Sequence, residues 1–218
     1  MSNQEQNSEK PPLALRFRGF LPVIIDVETG GFNAKTDALL EIAAVILRMD
    51  DSGELHIQDS LSFHIEPFEG ANVEQTALDF TGINLESETR ESVPEDLAIG
   101  ETFQFVRKAV KENDCSRAVM VAHNAHFDLN FVNAASDRCG MKRNPFHPFS
   151  CFDTATLSGL AFGQTVLAKA CQLAGIEFNN RDAHSAAYDA EKTAQLFCTI
   201  VNRWKLLGGW PLAAPDSA

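Results

Sequence analysis

The chain has 218 residues, 44% of them hydrophobic and 22% charged, and a formal net charge of −12. Such a length suits one domain that buries roughly 70% of its unfolded surface, and the acidic balance argues against broad phosphate binding. The five well-separated cysteines include no CxxC pair, which argues against a zinc site and for reduced thiols in the cytoplasm.

Residues 1–14 read as a polar, disordered tail without the apolar core of a signal peptide, 15–212 as a single domain, and 213–218 as a second tail. Residues 20–28 are apolar at consecutive positions and predict a strand covered on both faces. Residues 39–49 and 55–65 predict the next two strands of a meander, joined by the DDSG turn at 50–53. The most apolar window there, ALLEIAAVIL, carries Glu41 and is too short to span a bilayer, so no membrane association is expected. A short helix is expected over 73–80. Ile99, Phe103, Val106 and Val110 then fall at i, i+4, i+7 and i+11, the stripe of a longer helix. RAVMVAH at 117–123 predicts another buried strand, residues 126–139 a helix, and FSCFD at 149–153 a short fifth strand. Ala190, Ala194, Phe197, Val201 and Trp204 mark a C-terminal helix. A meander followed by strands alternating with helices predicts an α/β domain, a mixed five-stranded sheet flanked by helices.

The first strand ends in VIIDVETGGF, residues 23–32. Asp26 and Glu28 stand at i and i+2, so both carboxylates point to one face at the end of a buried strand. Carboxylates avoid such places unless something compensates them. The glycines that follow are expected to let the backbone turn sharply and approach a ligand closely. Asp128 in HNAHFD, Asp153 in CFDT and Asp189 in HSAAYDA also lie at ends of buried elements. Taken singly, Asp128 and Asp189 fit solvated helix positions, and Asp153, ahead of a helix-like segment, fits an N-cap better. Taken together, four carboxylates offer oxygen-only coordination to hard cations such as Mg²⁺ or Mn²⁺. Two such ions about 4 Å apart can hold the attacking and leaving oxygens of a phosphoryl group. Metal is the compensation that Asp26 and Glu28 require.

Hydrolysis also needs a group that takes a proton near neutral pH. His184 lies about 140° around a helix from Asp189. If the helix begins just after His184, the base rides a loop while Asp189 is fixed. His126 is a weaker candidate, as is His123, which is expected to pack or hydrogen-bond at its strand end. Phe32 and Phe127 each neighbour one of these carboxylates and suit base stacking, worth roughly 1–3 kcal/mol per base. Arg117 opens the strand whose other end leads to Asp128. At ~3.3 Å per residue it lies about 20 Å from the acids, too far to grip the substrate of its own subunit.

In order and spacing, DVE at 26–28, HNAHFD at 123–128 and HSAAYD at 184–189 resemble the three motifs of the DEDDh 3′→5′ exonucleases. The resemblance implies a ribonuclease-H-like fold, Asp26, Glu28, Asp128 and Asp189 as ligands of two Mg²⁺ ions that Mn²⁺ can replace, and His184 as general base. Longer segments, among them KRNPFHPFS and IVNRWKLLGGWPL, are similar to the members that trim single-stranded 3′ ends of structured RNAs. Those members mature tRNA and rRNA precursors, turn over the tRNA CCA end, and also degrade single-stranded DNA. The resemblance adds Phe80 and Phe149 as stacking or wedge residues. It also implies a homodimer in which Arg16, Arg18, Arg117 and Lys142 of one chain face the site of the other. Where it leads one to expect a glutamate at the terminal base, this chain has Thr76. The rival readings are a proofreading-type DNA exonuclease and a nucleic-acid-binding module without catalysis. All five catalytic positions carry competent residues, which weighs against the second.

Overall fold

The computed structural model describes residues 10–211, so most of both expected tails, 1–9 and 212–218, lies outside the described residues. Regular structure begins before the expected domain start. Pro12–Leu15 forms a helical turn, α1, because Leu13 reaches the main core and is 1% exposed there. The strands are β1 (Phe20–Thr29), β2 (Leu39–Met49), β3 (Leu55–Ile65), β4 (Ser92–Val93), β5 (Arg117–Ala122) and β6 (Phe146–Asp153). Between and after them lie α2 (Gln75–Thr81), α3 (Glu95–Glu112), α4 (His126–Arg138), α5 (Thr154–Phe162), α6 (Leu167–Ala174) and α7 (Ala186–Leu206).

The sheet runs β4-β3-β2-β1-β5-β6. β1–β2 and β2–β3 pair antiparallel, and the other three pairs are parallel. The mixed sheet thus has six strands rather than five. The additional one is only Ser92–Val93 beside His64 and Ile65, too short to show a period of two. β6 begins earlier than FSCFD, with a register break opposite Ala118 and Met120. α6 was not expected. It buries only Ala170 and Cys171, in a small satellite cluster with Leu196.

Val23, Ile24 and Ile25 are each 0% exposed. Successive strand residues point to opposite faces, so burial of all three means that β1 is covered on both sides. α7 packs across β1, β2 and β3, and α3 also lies against the sheet. β1 and β5 run parallel, with Val23 beside Met120 and Ile24 beside Val121. Their C-terminal ends therefore open at one edge, where the chain leaves β1 past Asp26 and Glu28 and leaves β5 into α4. Crevices of this kind, at strand ends where connections diverge, are the usual ligand sites of α/β sheets. No described helix is long and apolar enough to cross a membrane.

Candidate active site

Asp128 lies in the first turn of α4, is 4% exposed, and accepts a hydrogen bond at Oδ1 from the Val27 N–H at 3.1 Å. This bond ties α4 to β1 between Asp26 and Glu28. Asp189 comes from the far end of the chain on the first turn of α7, where the helix dipole favours a negative charge. Its Oδ2 accepts from the His184 N–H at 3.1 Å, while its Oδ1 is buried without a partner. One oxygen each of Glu28 and Asp189 and one ring nitrogen of His184 lie within 4.8 Å of one another. His184 itself precedes α7, which begins at Ala186, and so stands outside the helix that carries Asp189.

The electrostatics follow from this crowding. Burial, and then the fields of Asp128, Glu28, Asp189 and Glu41, hold the Asp26 carboxyl well above its ordinary value. Burial foremost, then Asp189, Glu41 and Asp128, push Glu28 up to about 8. Asp128 also rises to about 8, because burial outweighs the hydrogen bonds it accepts. Asp189 is raised by burial, against the pull of His184. Among the described residues no lysine or arginine forms an ion pair with any of the four. A group of buried oxygens, mutually repelling and with one lone oxygen unpartnered, fits hard divalent cations by donor type and by charge.

The two glycines meet a constraint within the chain that was not expected of them. A Cβ on Gly31 would fall on the Asp37 carboxylate, and one on Gly30 would stand 3.0 Å from the Asn72 carbonyl oxygen. Asp37 in turn accepts from the Asn33 N–H, the Thr36 hydroxyl and the Asn72 side chain. The close approach that glycine permits here is the chain's own, and it braces the loop that carries Phe32. Neither glycine has a positive φ, so the sharp turn is not what requires them.

The exonuclease family RNase_T matches residues 23–197. A ribonuclease T of Vibrio cholerae serotype O1 is 66% identical over 94% of this chain and 92% of its own. A ribonuclease T of Hahella chejuensis is 60% identical over 99% of each. The chain belongs to the ribonuclease T family of exonucleases. Among solved structures, E. coli exonuclease I in complex with a dT13 oligonucleotide matches with a TM-score of 0.63 at 17% identity. That match covers 86% of this chain and 42% of exonuclease I, so the chain spans less than half of that enzyme. A 3′-exonuclease described for 3′-end specific recognition of a histone mRNA stem-loop matches with a TM-score of 0.65 at 14% identity, over 84% of this chain and 64% of its own. At these identities the two structures show the fold alone.

Around the acids of this family member, the expected aromatic residues fall into separate groups. Phe32 is 86% exposed, and its ring stands edge-on to Phe127 at 6.2 Å between centroids. Phe80 packs on the His184 ring at 4.3 Å. Thr76 is exposed one turn before Phe80 on α2, so the two share a helix face. Phe149 is exposed on the edge strand β6, its ring against His147 at 4.6 Å. His123 hydrogen-bonds Thr154 Oγ1 at 3.0 Å and the Thr165 carbonyl at 2.7 Å, the strand-end role expected of it. Asp153 caps α5 through the Ala155 N–H and also accepts from the Asn124 N–H, as expected for an N-cap rather than a ligand.

Of the basic residues, Arg18, Arg117 and Lys142 are exposed, and Arg18 lies over the ring of Phe20, which pairs with Arg117. Arg16 departs from the expected patch. It is 7% exposed, with its guanidinium over the rings of Phe17 and Trp210 at 4.8 and 4.5 Å. Sequence reading also missed Glu41, an 8% exposed carboxylate directly across the strand pair from Glu28. Its signal was present, as the lone charge within ALLEIAAVIL.

Proposed function

We propose that this chain removes nucleotides one at a time from single-stranded 3′ ends of structured RNAs, tRNA and rRNA precursors among them, and also from single-stranded DNA. The observation that carries this reading is the convergence of four carboxylates, none paired with a lysine or arginine among the described residues, beside His184 at the open ends of β1 and β5. Asp26, Glu28, Asp128 and Asp189 would hold two Mg²⁺ ions, with Mn²⁺ able to substitute. Bound there, the ions would offset charge that develops on the phosphoryl oxygens. His184 takes a proton from water as the water oxygen attacks phosphorus. The bond to the 3′ oxygen of the preceding nucleotide breaks, and a nucleoside 5′-monophosphate leaves.

Phe32 and Phe127 stack the terminal bases without regard to their identity. Phe80 and Phe149 wedge the approach, which favours single strands and stalls at a duplex. Thr76 offers an uncharged hydroxyl to the terminal base. Arg18, Arg117 and Lys142 belong to the opposite end of the sheet, and a two-fold dimer would carry them to the partner's site. Five free cysteines fit a reducing cytoplasm.

The test uses 3′-labelled single-stranded RNA and DNA with Mg²⁺ or with EDTA. Stepwise release of labelled mononucleotides that EDTA abolishes is expected, and its absence would sink the enzyme reading. Sharing of sites is tested by mixing an Asp26→Asn preparation with one in which Arg18, Arg117 and Lys142 are changed to Ala. Verified subunit exchange without recovery of activity would remove the dimer from the mechanism.

A further inference from the structure

We infer that Glu41 is a positioning residue, which anchors the first turn of α7 from the sheet and so fixes both Asp189 and the pivot of the loop bearing His184. α7 lacks a cap of its own, since the Ser185 side chain makes no capping bond. The acceptor comes instead from β2, where Glu41 Oε2 takes the Ala186 N–H at 3.1 Å, 145 positions away in sequence. Ala186 is 1% exposed, so water has no access to replace that acceptor, and losing it would orphan a buried donor.

What makes this bond matter is the arrangement just before it. His184 has a φ of 69°, in the left-handed region, and its N–H is tethered to Asp189 Oδ2. The loop's tether is thus a carboxylate that the proposed chemistry assigns to a cation. When Asp189 reorients, Glu41 still holds the start of the helix. The remaining contacts of Glu41 are poor. Its Oε1 is 3.8 Å from His64 Nε2, beyond hydrogen-bond range, and Arg90 donates to the carbonyls of Leu40 and Ile65 rather than to the Glu41 carboxylate. Toward α7, reach to Ala186 rather than charge is therefore what Glu41 supplies.

Two substitutions separate these properties. Glu41→Gln keeps the reach and an acceptor oxygen but removes the charge, whereas Glu41→Asp keeps the charge and is one methylene too short. The inference rests on His184 and Asp189 acting as proposed above, so the first readout is independent of catalysis. In metal-free protein, amide exchange at Ala186 should rise roughly tenfold in Glu41→Asp, as loss of a net hydrogen bond implies, and stay near wild type in Glu41→Gln. In the Mg²⁺-loaded enzyme, Glu41→Asp should lower kcat on single-stranded RNA by roughly ten- to a hundredfold with little change in KM, the cost of misplaced groups, while Glu41→Gln stays within a few-fold of wild type. Unchanged exchange in Glu41→Asp, or a Glu41→Gln enzyme as impaired as Glu41→Asp, would overturn the inference. If exchange responds while His184→Ala keeps full kcat, the anchor stands and the assignment of the base is what fails.

Discussion

Removing divalent metal should make the protein less stable as pH rises through neutrality, the opposite of what an ordinary carboxylate-rich protein does. Glu28 is raised from 4.5 to about 8 and Asp128 from 3.8 to about 8, chiefly by burial. The sign follows from which state holds the proton. Below about pH 4 both folded and unfolded chains are protonated at these groups, so folding carries no penalty. Between there and about 8 the unfolded chain has released its protons and the folded chain retains them, so stability falls until the folded groups ionise too. Each group costs about 1 kcal/mol per pH unit within that window, and because both share one field the pair falls within roughly 1–3 kcal/mol per unit. For a chain of this size that is about 2–10 °C in Tm per unit. The window from about pH 6.5 to about 7.5 lies inside that range. Asp37 and Asp153, where hydrogen bonds to the carboxylates outweigh burial, are lowered from an already acidic value and contribute nothing there, while His123, which burial lowers, opposes the slope only near the bottom of the window. The assay is thermal or denaturant unfolding at both pH values in EDTA and again in Mg²⁺. Stability should fall with pH in EDTA, and Mg²⁺ should reverse or flatten the slope, since the ion binds the deprotonated oxygens. Glu28→Gln should shallow the EDTA slope. A flat or rising slope in EDTA, or one that Mg²⁺ leaves untouched, would refute the electrostatic account of the site.

Three other outcomes follow from the same geometry. His184→Ala should lower kcat by ~10²–10⁴ and leave single-strand affinity nearly unchanged in a binding titration; a loss mainly of affinity would reassign the residue. Phe32→Ala and Phe127→Ala should each weaken binding of single strands by ~1–3 kcal/mol whatever the terminal base, as measured by fluorescence titration. If Phe127→Ala simply melts the fold, its partly buried ring belongs to the core. Gly31→Ala should cost about 1–3 kcal/mol of stability by driving a methyl into the braced Asp37 carboxylate. An unchanged unfolding midpoint would show that the loop yields freely.

What was legible in the sequence and what was not divides by how far a residue's reason lies from it along the chain. Asp26 and Glu28 were legible because a period of two and a run of buried neighbours already fix their common face and their discomfort. Asp153 was legible as a cap because the helix it caps begins at the next residue. The constraint on Gly31 was not legible because it is Asp37, six positions on, which only the loop's hydrogen-bond web brings back against it. The burial of Arg16 was not legible because Trp210, at the other end of the chain, is what covers it. Glu41 shows the limit most directly. Its position inside a buried strand raises the same question as Asp26 and Glu28, namely what compensates the charge. The answer, however, is the N–H of Ala186, brought over by the packing of α7 on β2. A carboxylate inside a buried strand therefore announces a partner without naming it. Metal is the answer proposed for Asp26 and Glu28, an uncapped helix start is the one seen at Glu41, and the carboxylates concerned stand side by side on paired strands.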